Sequence, residues 1–276
     1  MKENEIKNLN EKCRHIRSLI IEEIGELGVG HVGGSLSIVE VLVVLYNKVM
    51  NINPNNPYLE GRDRFVLSKG HGGPGLYAVL ANRGFFDIEE LSTLNKPNTN
   101  LPSHCDMNKT QGVDMTVGSL GQGISCAVGM AKASKIKKDN AYIYCILGDG
   151  ECQEGEVWEA SMCAAHFKLN NLIAFIDYNK MQIDGLTKDV MNLGDINKKW
   201  EAFGWNVLDV DGHNVADIYE KIIDGKKSKD KPTMIILNTI KGKGISFIEE
   251  MGYKNHSMNV NESQKSLALN ELKGEE

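Results

Sequence analysis

Apolar residues recur at helical spacing from Ile6 to Leu27, which predicts an amphipathic helix at the start of the chain. The glycine-rich stretch Gly28-Val29-Gly30-His31-Val32-Gly33-Gly34-Ser35 ends it. A second helix is predicted over about 37–50, with Ser35 or Ser37 as N-cap. Beyond a turn at Asn53 to Pro57, the pattern alternates. Short apolar runs at 64–67, 142–147, 172–176, 205–210 and 233–238 read as strands. Helical patterns at 74–83, from Gly123 to about 135, and at 154–167, 195–203 and 215–223 fall between or beside them. Strands alternating with helices predict an α/β fold, a mainly parallel sheet with helices on both faces and ligands beyond the carboxyl ends of the strands. The whole chain, 1–276, reads as a single domain. Its polar tail, about 262–276, is expected to be loosely attached. Leu19, Ile38, Val41 and Leu42 lie on predicted helices and fit either a core or an interface.

Composition narrows the function classes. The 276 residues are 41% hydrophobic and 25% charged, ordinary for a globular protein with a core. A net charge of -6 argues against nucleic acid as partner. The longest apolar run, Ile38 to Tyr46, is interrupted by Glu40 and is too short to span a bilayer. No signal-peptide core opens the chain. The six cysteines form no Cys-x-x-Cys pair and read as reduced thiols, so a cytoplasmic protein away from membranes is expected.

The strand ends carry the candidate chemistry. Gly148-Asp149-Gly150 closes one strand, and Asp177-Tyr178-Asn179-Lys180-Met181 closes the next. Asp149 and Asn179 at adjacent strand ends can share a hard cation, with the Met181 carbonyl as third oxygen. Diphosphate oxygens and water would complete a shell of about six around Mg²⁺. The bland reading makes Asp149 a helix cap and Asn179 a turn residue. Gly118-Ser119-Leu120-Gly121-Gln122-Gly123 would let backbone N–H groups reach an anion or an aromatic ring at a helix start, or would serve close helix packing. His31, His71, His104 and His256 all sit in loops, where imidazole can bind phosphate or hydroxyl and shuttle protons. His213 reads as a structural turn residue, and His15 and His166 as surface or packing residues. Glu154, at a helix start, reads either as a charge facing the helix dipole or as a buried carboxylate at a subunit interface. Lys241-Gly242-Lys243-Gly244 is expected to be a mobile basic loop, either approaching phosphate or simply solvated.

Taken in order, Gly30 to Ser35, Leu67 to Gly72, His104, Gly118 to Gly123, Gly148-Asp149-Gly150 with Glu154-Gly155, and Asn179 through Ile183-Asp184-Gly185 resemble the N-terminal half of transketolase. The likeness runs from the first helix to about His256. It implies a thiamine diphosphate site with Mg²⁺ held by Asp149, Asn179 and Met181, Ca²⁺ or Mn²⁺ being possible substitutes. It implies His71, Gly150 and His256 near the diphosphate, and Gly118, Ser119 and Leu120 along the thiamine. Glu151 is expected in the cofactor site, Ile183 beside the thiazolium, and Glu154 at a domain interface. His31, His71, His104 and His256 are the implied catalytic set. The last motif departs from the family pattern, with Ser257 following His256 in place of a common glycine.

A full transketolase is more than twice this length and uses a glutamate on a second domain to activate the cofactor. The resemblance therefore implies one natural subunit of a split transketolase, active with a separate C-terminal subunit that brings the pyrimidine-binding and C-terminal domains. It implies a heterotetramer of two copies each, acting on sugar phosphates in the pentose phosphate pathway. Other expectations consistent with the motifs are a split relative for an unusual sugar such as apulose phosphate or a sulfonated ketose, a 1-deoxyxylulose-5-phosphate synthase-like domain, and a non-catalytic regulatory partner.

Overall fold

Five apolar runs build one all-parallel sheet in a computed structural model that describes residues 1–274. They are β1 (Arg64–Leu67), β2 (Ile143–Gly148), β3 (Leu172–Tyr178), β4 (Asn206–Asp211) and β5 (Thr233–Asn238). The spatial order is β1-β2-β3-β5-β4, so the chain leaves β3 for the far edge and returns to fill the gap. The register pairs Gly148 with Asp177 and Asp177 with Leu237, which sets the ends of β2, β3 and β5 side by side.

Both sheet faces are covered, which is why the central strands are nearly continuous apolar runs. Tyr144, Ile146, Ile173, Phe175, Ile235 and Leu237 pack toward one layer. The helices Glu3–Leu27, Val39–Val44, Gly73–Asn82 and Val215–Gly225 form that layer. Ile143, Cys145, Leu147, Ala174 and Ile176 pack toward the other, formed by Gln122–Lys137, Gly155–His166 and Ile196–Ala202. The period-2 alternation of side chains sends successive residues to opposite layers.

Two expectations change and one open choice closes. The single helix over 37–50 is a turn at Gly33–Leu36, a helix at Val39–Val44 and a wide π-type turn at Leu45–Val49. Ile38 leaves helical geometry between the first two (φ -108°, ψ 10°). Leu19, Ile38, Val41 and Leu42 are all core. The tail is a docked helix, Glu262–Lys273, with a capping box between Asn261 and Gln264. Its Ala268 is fully buried, and its Glu271 accepts hydrogen bonds from Ser246. Its last two residues, Glu275 and Glu276, lie outside the described residues.

Candidate active site at the strand ends

The β2 and β3 ends place Asp149 and Asn179 on the floor of a cavity of about 350 Å³. Asp149 is 2% exposed. One oxygen accepts from the Gly150 N–H at 2.7 Å, and the other from the Lys180 N–H at 2.6 Å and the Thr187 hydroxyl at 3.3 Å. Burial and the nearby Asp177 push its carboxyl up to about 6. The Asn179 amide is oriented at both ends: Nδ2 donates to Asp177 at 3.0 Å and Oδ1 accepts from the Met181 N–H at 3.0 Å. The Met181 carbonyl faces the Lys241 ammonium at 3.4 Å. The set is one carboxylate, one amide oxygen and one peptide carbonyl, the hard oxygen donors that suit Mg²⁺ or Ca²⁺. Among the described residues no group of three or more His, Cys, Asp or Glu is arranged to hold a metal ion.

Four histidines from four separate loops form one wall. A two-residue antiparallel pairing of Val29–Gly30 with Met258–Asn259 fixes His31 near His256, their ring centroids 5.5 Å apart. His71 lies 4.7 Å from His256 and 5.8 Å from His31, and His104 5.7 Å from His31. Glycine makes the crowding possible. A Cβ on Gly34 would sit 3.0 Å from the His71 ring, and one on Gly70 would sit 3.1 Å from that of His104. Burial, reinforced by neighbouring cations, disfavours the imidazolium form. His31 is lowered, His71 is well below its ordinary value, and His256 falls to about 3. These three rings are neutral at physiological pH, each with one donor and one acceptor nitrogen.

Of the other predicted residues, Gly118, Leu120, Gly150, Glu151, Glu154 and Ile183 line the cavity, and Ser119 lies between two of them. Glu151 already spends both oxygens on the chain. One accepts from Gly121 N–H at 2.9 Å and from the Ser68 hydroxyl; the other accepts from Gly148 N–H at 2.9 Å. Glu154 is exposed in the isolated chain, at the start of Gly155–His166. Leu120 and Ile183 are exposed apolar residues at the rim, 37% and 64% accessible. His15 and His166 are exposed, the surface alternative of their sequence reading. The six cysteines are free thiols, and no described helix is long and apolar enough to cross a membrane.

Three charged residues do more in the cavity wall than their sequence context implies. Lys69 and Asp177 form an ion pair at 2.6 Å, 1% and 0% exposed. Asp177 also accepts from Ser37 at 2.7 Å, from Asn179 and from Thr239. Burial opposes its charge, but Lys69 and these donors outweigh that and hold its carboxyl below the usual range. Lys69 donates as well to the Gly34 carbonyl at 2.7 Å. The third is Lys241, which corrects the expectation of a mobile loop. It is 3% exposed, with Nζ 3.1 Å from His256 Nδ1, and burial and the Lys69 charge bring its ammonium down to about 8. A lysine directly after an apolar strand end, as in Leu67-Ser68-Lys69, was the only sequence signal for such a residue.

Comparison with known proteins gives this geometry a context. Residues 9–269 match the family model described as transketolase, thiamine diphosphate binding domain. The chain is 54% identical over 275 residues to a 6-deoxy-6-sulfo-D-fructose transketolase subunit of Clostridium sp. (strain MSTE9), covering 100% of this chain and 99% of that one. It is 39% identical over 268 residues to an apulose-4-phosphate transketolase subunit of Actinobacillus succinogenes, covering 97% and 96%. Human transketolase is 37% identical over 249 residues, 90% of this chain but 39% of that protein. The solved transketolase of Campylobacter jejuni superposes with a TM-score of 0.89 at 32% identity, covering 98% of this chain and 43% of that one. The chain thus spans about two fifths of the solved transketolases.

Proposed function

The chain belongs to the transketolase family, as its thiamine diphosphate-binding domain, and we propose that it is the cofactor-anchoring subunit of a two-chain enzyme that moves a two-carbon ketol unit from a ketose with a terminal anion to an aldose phosphate. The observation that carries this is the 54% identity over matched full lengths to a 6-deoxy-6-sulfo-D-fructose transketolase subunit. That sulfonated ketose is therefore the first donor to consider. Apulose 4-phosphate is the second, on the 37% and 39% identity to two apulose-4-phosphate transketolase subunits. A separate C-terminal subunit would supply the rest of the site, in an assembly of two copies of each chain.

Bound thiamine diphosphate would supply the carbon nucleophile and electron sink of ketol transfer. The chain's part is binding, orientation and proton placement. Asp149, Asn179 and the Met181 carbonyl would hold Mg²⁺, with Ca²⁺ or Mn²⁺ as substitutes, and their oxygen chemistry fits that role. A cation there would restore the Asp149 carboxylate charge that burial now opposes. His71, His256 and the Gly150 backbone would face the diphosphate, joined by the Lys241 ammonium. Gly118, Ser119 and Leu120 would line the thiamine, with Ile183 beside the thiazolium. The neutral ring of His31, together with His104, would hydrogen-bond sugar hydroxyls and hold or release a proton at a ring nitrogen. Glu154, at the exposed rim, would meet the partner.

A coupled assay tests the proposal. The chain by itself, and with its partner subunit, would receive thiamine diphosphate, Mg²⁺, an aldose phosphate acceptor, and either 6-deoxy-6-sulfo-D-fructose or xylulose 5-phosphate. Turnover only in the mixture, with the sulfonated donor preferred, is the expected result. Turnover by the chain alone would overturn the two-chain reading. A clear preference for xylulose 5-phosphate would overturn the sulfosugar assignment.

A further inference from the structure

Behind the cavity wall, three side chains that have no place in the scheme above meet on the far side of the loop after β5. Arg17 comes from the Glu3–Leu27 helix, Glu40 from Val39–Val44 and His213 from the turn after β4. Arg17 and Glu40 are each 5% exposed and form an ion pair at 2.6 Å. His213 Nδ1 lies 3.1 Å from the other Glu40 oxygen. Burial works against the Glu40 charge, but Arg17 and His213 outweigh it and hold the carboxyl below its usual range.

The cluster reaches outward to two points of backbone. Arg17 Nε donates to the Lys243 carbonyl at 2.7 Å, and the Ile240 N–H donates to His213 Nε2 at 2.8 Å. Both ends of the segment Ile240–Lys243 are therefore tied down, and the residue between them that enters the cavity is Lys241. The bonding pattern sets the His213 tautomer. Nε2 accepts, so the proton sits on Nδ1 and donates to Glu40. The loop has no slack elsewhere. Gly244 is at φ +98°, and a Cβ there would lie 2.7 Å from Arg17 Cδ and Nε; Gly242 is at φ +89°, with Asn255 Nδ2 2.7 Å from its would-be Cβ.

We propose that Arg17, Glu40 and His213 form a brace that holds the Lys241 ammonium inside the cavity, with His213 a positioning residue for the anion that Lys241 meets. The identity of that anion as the cofactor diphosphate rests on the functional reading above; the brace itself does not. A buried ammonium gains by returning to water unless its backbone is constrained. The brace supplies that constraint from outside the site, beside the bonds from Asn255 Nδ2 to the Lys241 carbonyl at 3.0 Å and from the Gly242 N–H to the Gly33 carbonyl at 3.1 Å.

Two measurements on the full chain test the brace without any ligand. Amide hydrogen exchange of the wild type should show the Ile240 N–H protected although the residue is 44% exposed; free exchange would overturn the His213 bond. Peptide-resolved amine labelling should then compare Lys241 with Lys69, which is equally buried across the cavity. His213→Leu is expected to raise Lys241 labelling about fivefold, the effect of one lost hydrogen bond, and to leave Lys69 unchanged. His213→Gln, whose amide can both accept and donate, should stay near wild type. An unchanged Lys241, or an equal rise at Lys69, would overturn the brace. A third measurement, on the assembly with the partner subunit, takes the cofactor KM. His213→Leu should raise it about fivefold, one hydrogen bond's worth, with kcat nearly unmoved. Failure of the wild-type assembly to bind thiamine diphosphate would sink the functional reading alone, since exchange and labelling still judge the brace.

Discussion

A carboxylate that is 2% exposed and faces a second one keeps its charge at a cost, and Asp149 is in that position. Its folded value of about 6 lies above the ordinary 3.8, so the folded chain binds that proton more tightly than the unfolded chain. Stability from this group is full at low pH and is lost as pH rises through the window from about 4 to about 6. A cation reverses the sign, because it binds only the ionised form. Thermal melts with and without Mg²⁺ plus thiamine diphosphate should thus differ well above pH 6 and converge below about pH 5. Asp149→Ala should remove the ligand-induced shift at every pH and lower activity of the assembly by roughly 100-fold or more, judged against the 10- to 100-fold typical of losing a mere supporting contact. The Lys69–Asp177 pair sits one step behind. Replacing Lys69 by Met leaves a fully buried carboxylate without its counter-charge, which should destabilise the fold by about 3–5 kcal/mol in denaturant titrations. Lys69→Met with Asp177→Asn should recover part of that loss, since the uncompensated charge is gone.

Among the elements, the turns rather than the helices bring the motifs into contact. Gly123 opens the Gln122–Lys137 helix against β1, and a Cβ there would come within 2.6 Å of the Ser68 Cα and hydroxyl. Gly123→Ala must push the helix start off the strand end, and Glu151, which ties Gly121 to Ser68, must move with it. A loss of about 1–3 kcal/mol is expected on denaturation, with weaker cofactor binding measured by calorimetry. The sheet itself was legible because strands buried on both faces can only be apolar runs, and 233–238 was placed to the residue. The break at Ile38 was not legible: Ser37 to Tyr46 reads as an unbroken helical pattern, and it is tertiary packing of the fully buried 38–45 segment that divides it. Among the candidate site residues, Asp149 and Asn179 were readable as cavity-lining because each follows a strand end. Asp177 also ends a strand and lines the same cavity, but only three-dimensional proximity supplies its partners Ser37, Lys69 and Thr239. The Lys241 loop reads as either phosphate-facing or solvated for a related reason. A basic Gly-rich loop looks mobile until the helices behind it are placed, whereas His213 is the structural turn residue its sequence suggests.

At the scale of the molecule, the described chain is a wall without its opposite wall. The cavity opens at a rim where Leu120 and Ile183 are 37% and 64% exposed, while Val190 and Met191, in the adjacent segment, are 41% and 61% exposed. Gln153, which lines the cavity, donates to the Met191 carbonyl and joins the two. Apolar side chains grouped around a cavity mouth mark a surface that another body covers. The two fused relatives compared above are more than twice as long as this chain, whereas the subunit relatives match it end to end, so a second polypeptide is the body to expect. Ile183→Asp tests this at the cost of one side chain. Exposed in the isolated chain, the substitution should leave its unfolding free energy within about 0.5 kcal/mol of wild type. In the assembly the same aspartate would be buried without a partner, a change worth several kcal/mol. Sedimentation of the chain with its partner subunit should therefore show a complex for wild type and separate species for Ile183→Asp, with turnover lost in parallel. A variant chain that assembles normally would mean that this rim is not the seam with the partner subunit, and that the opposite wall is built elsewhere.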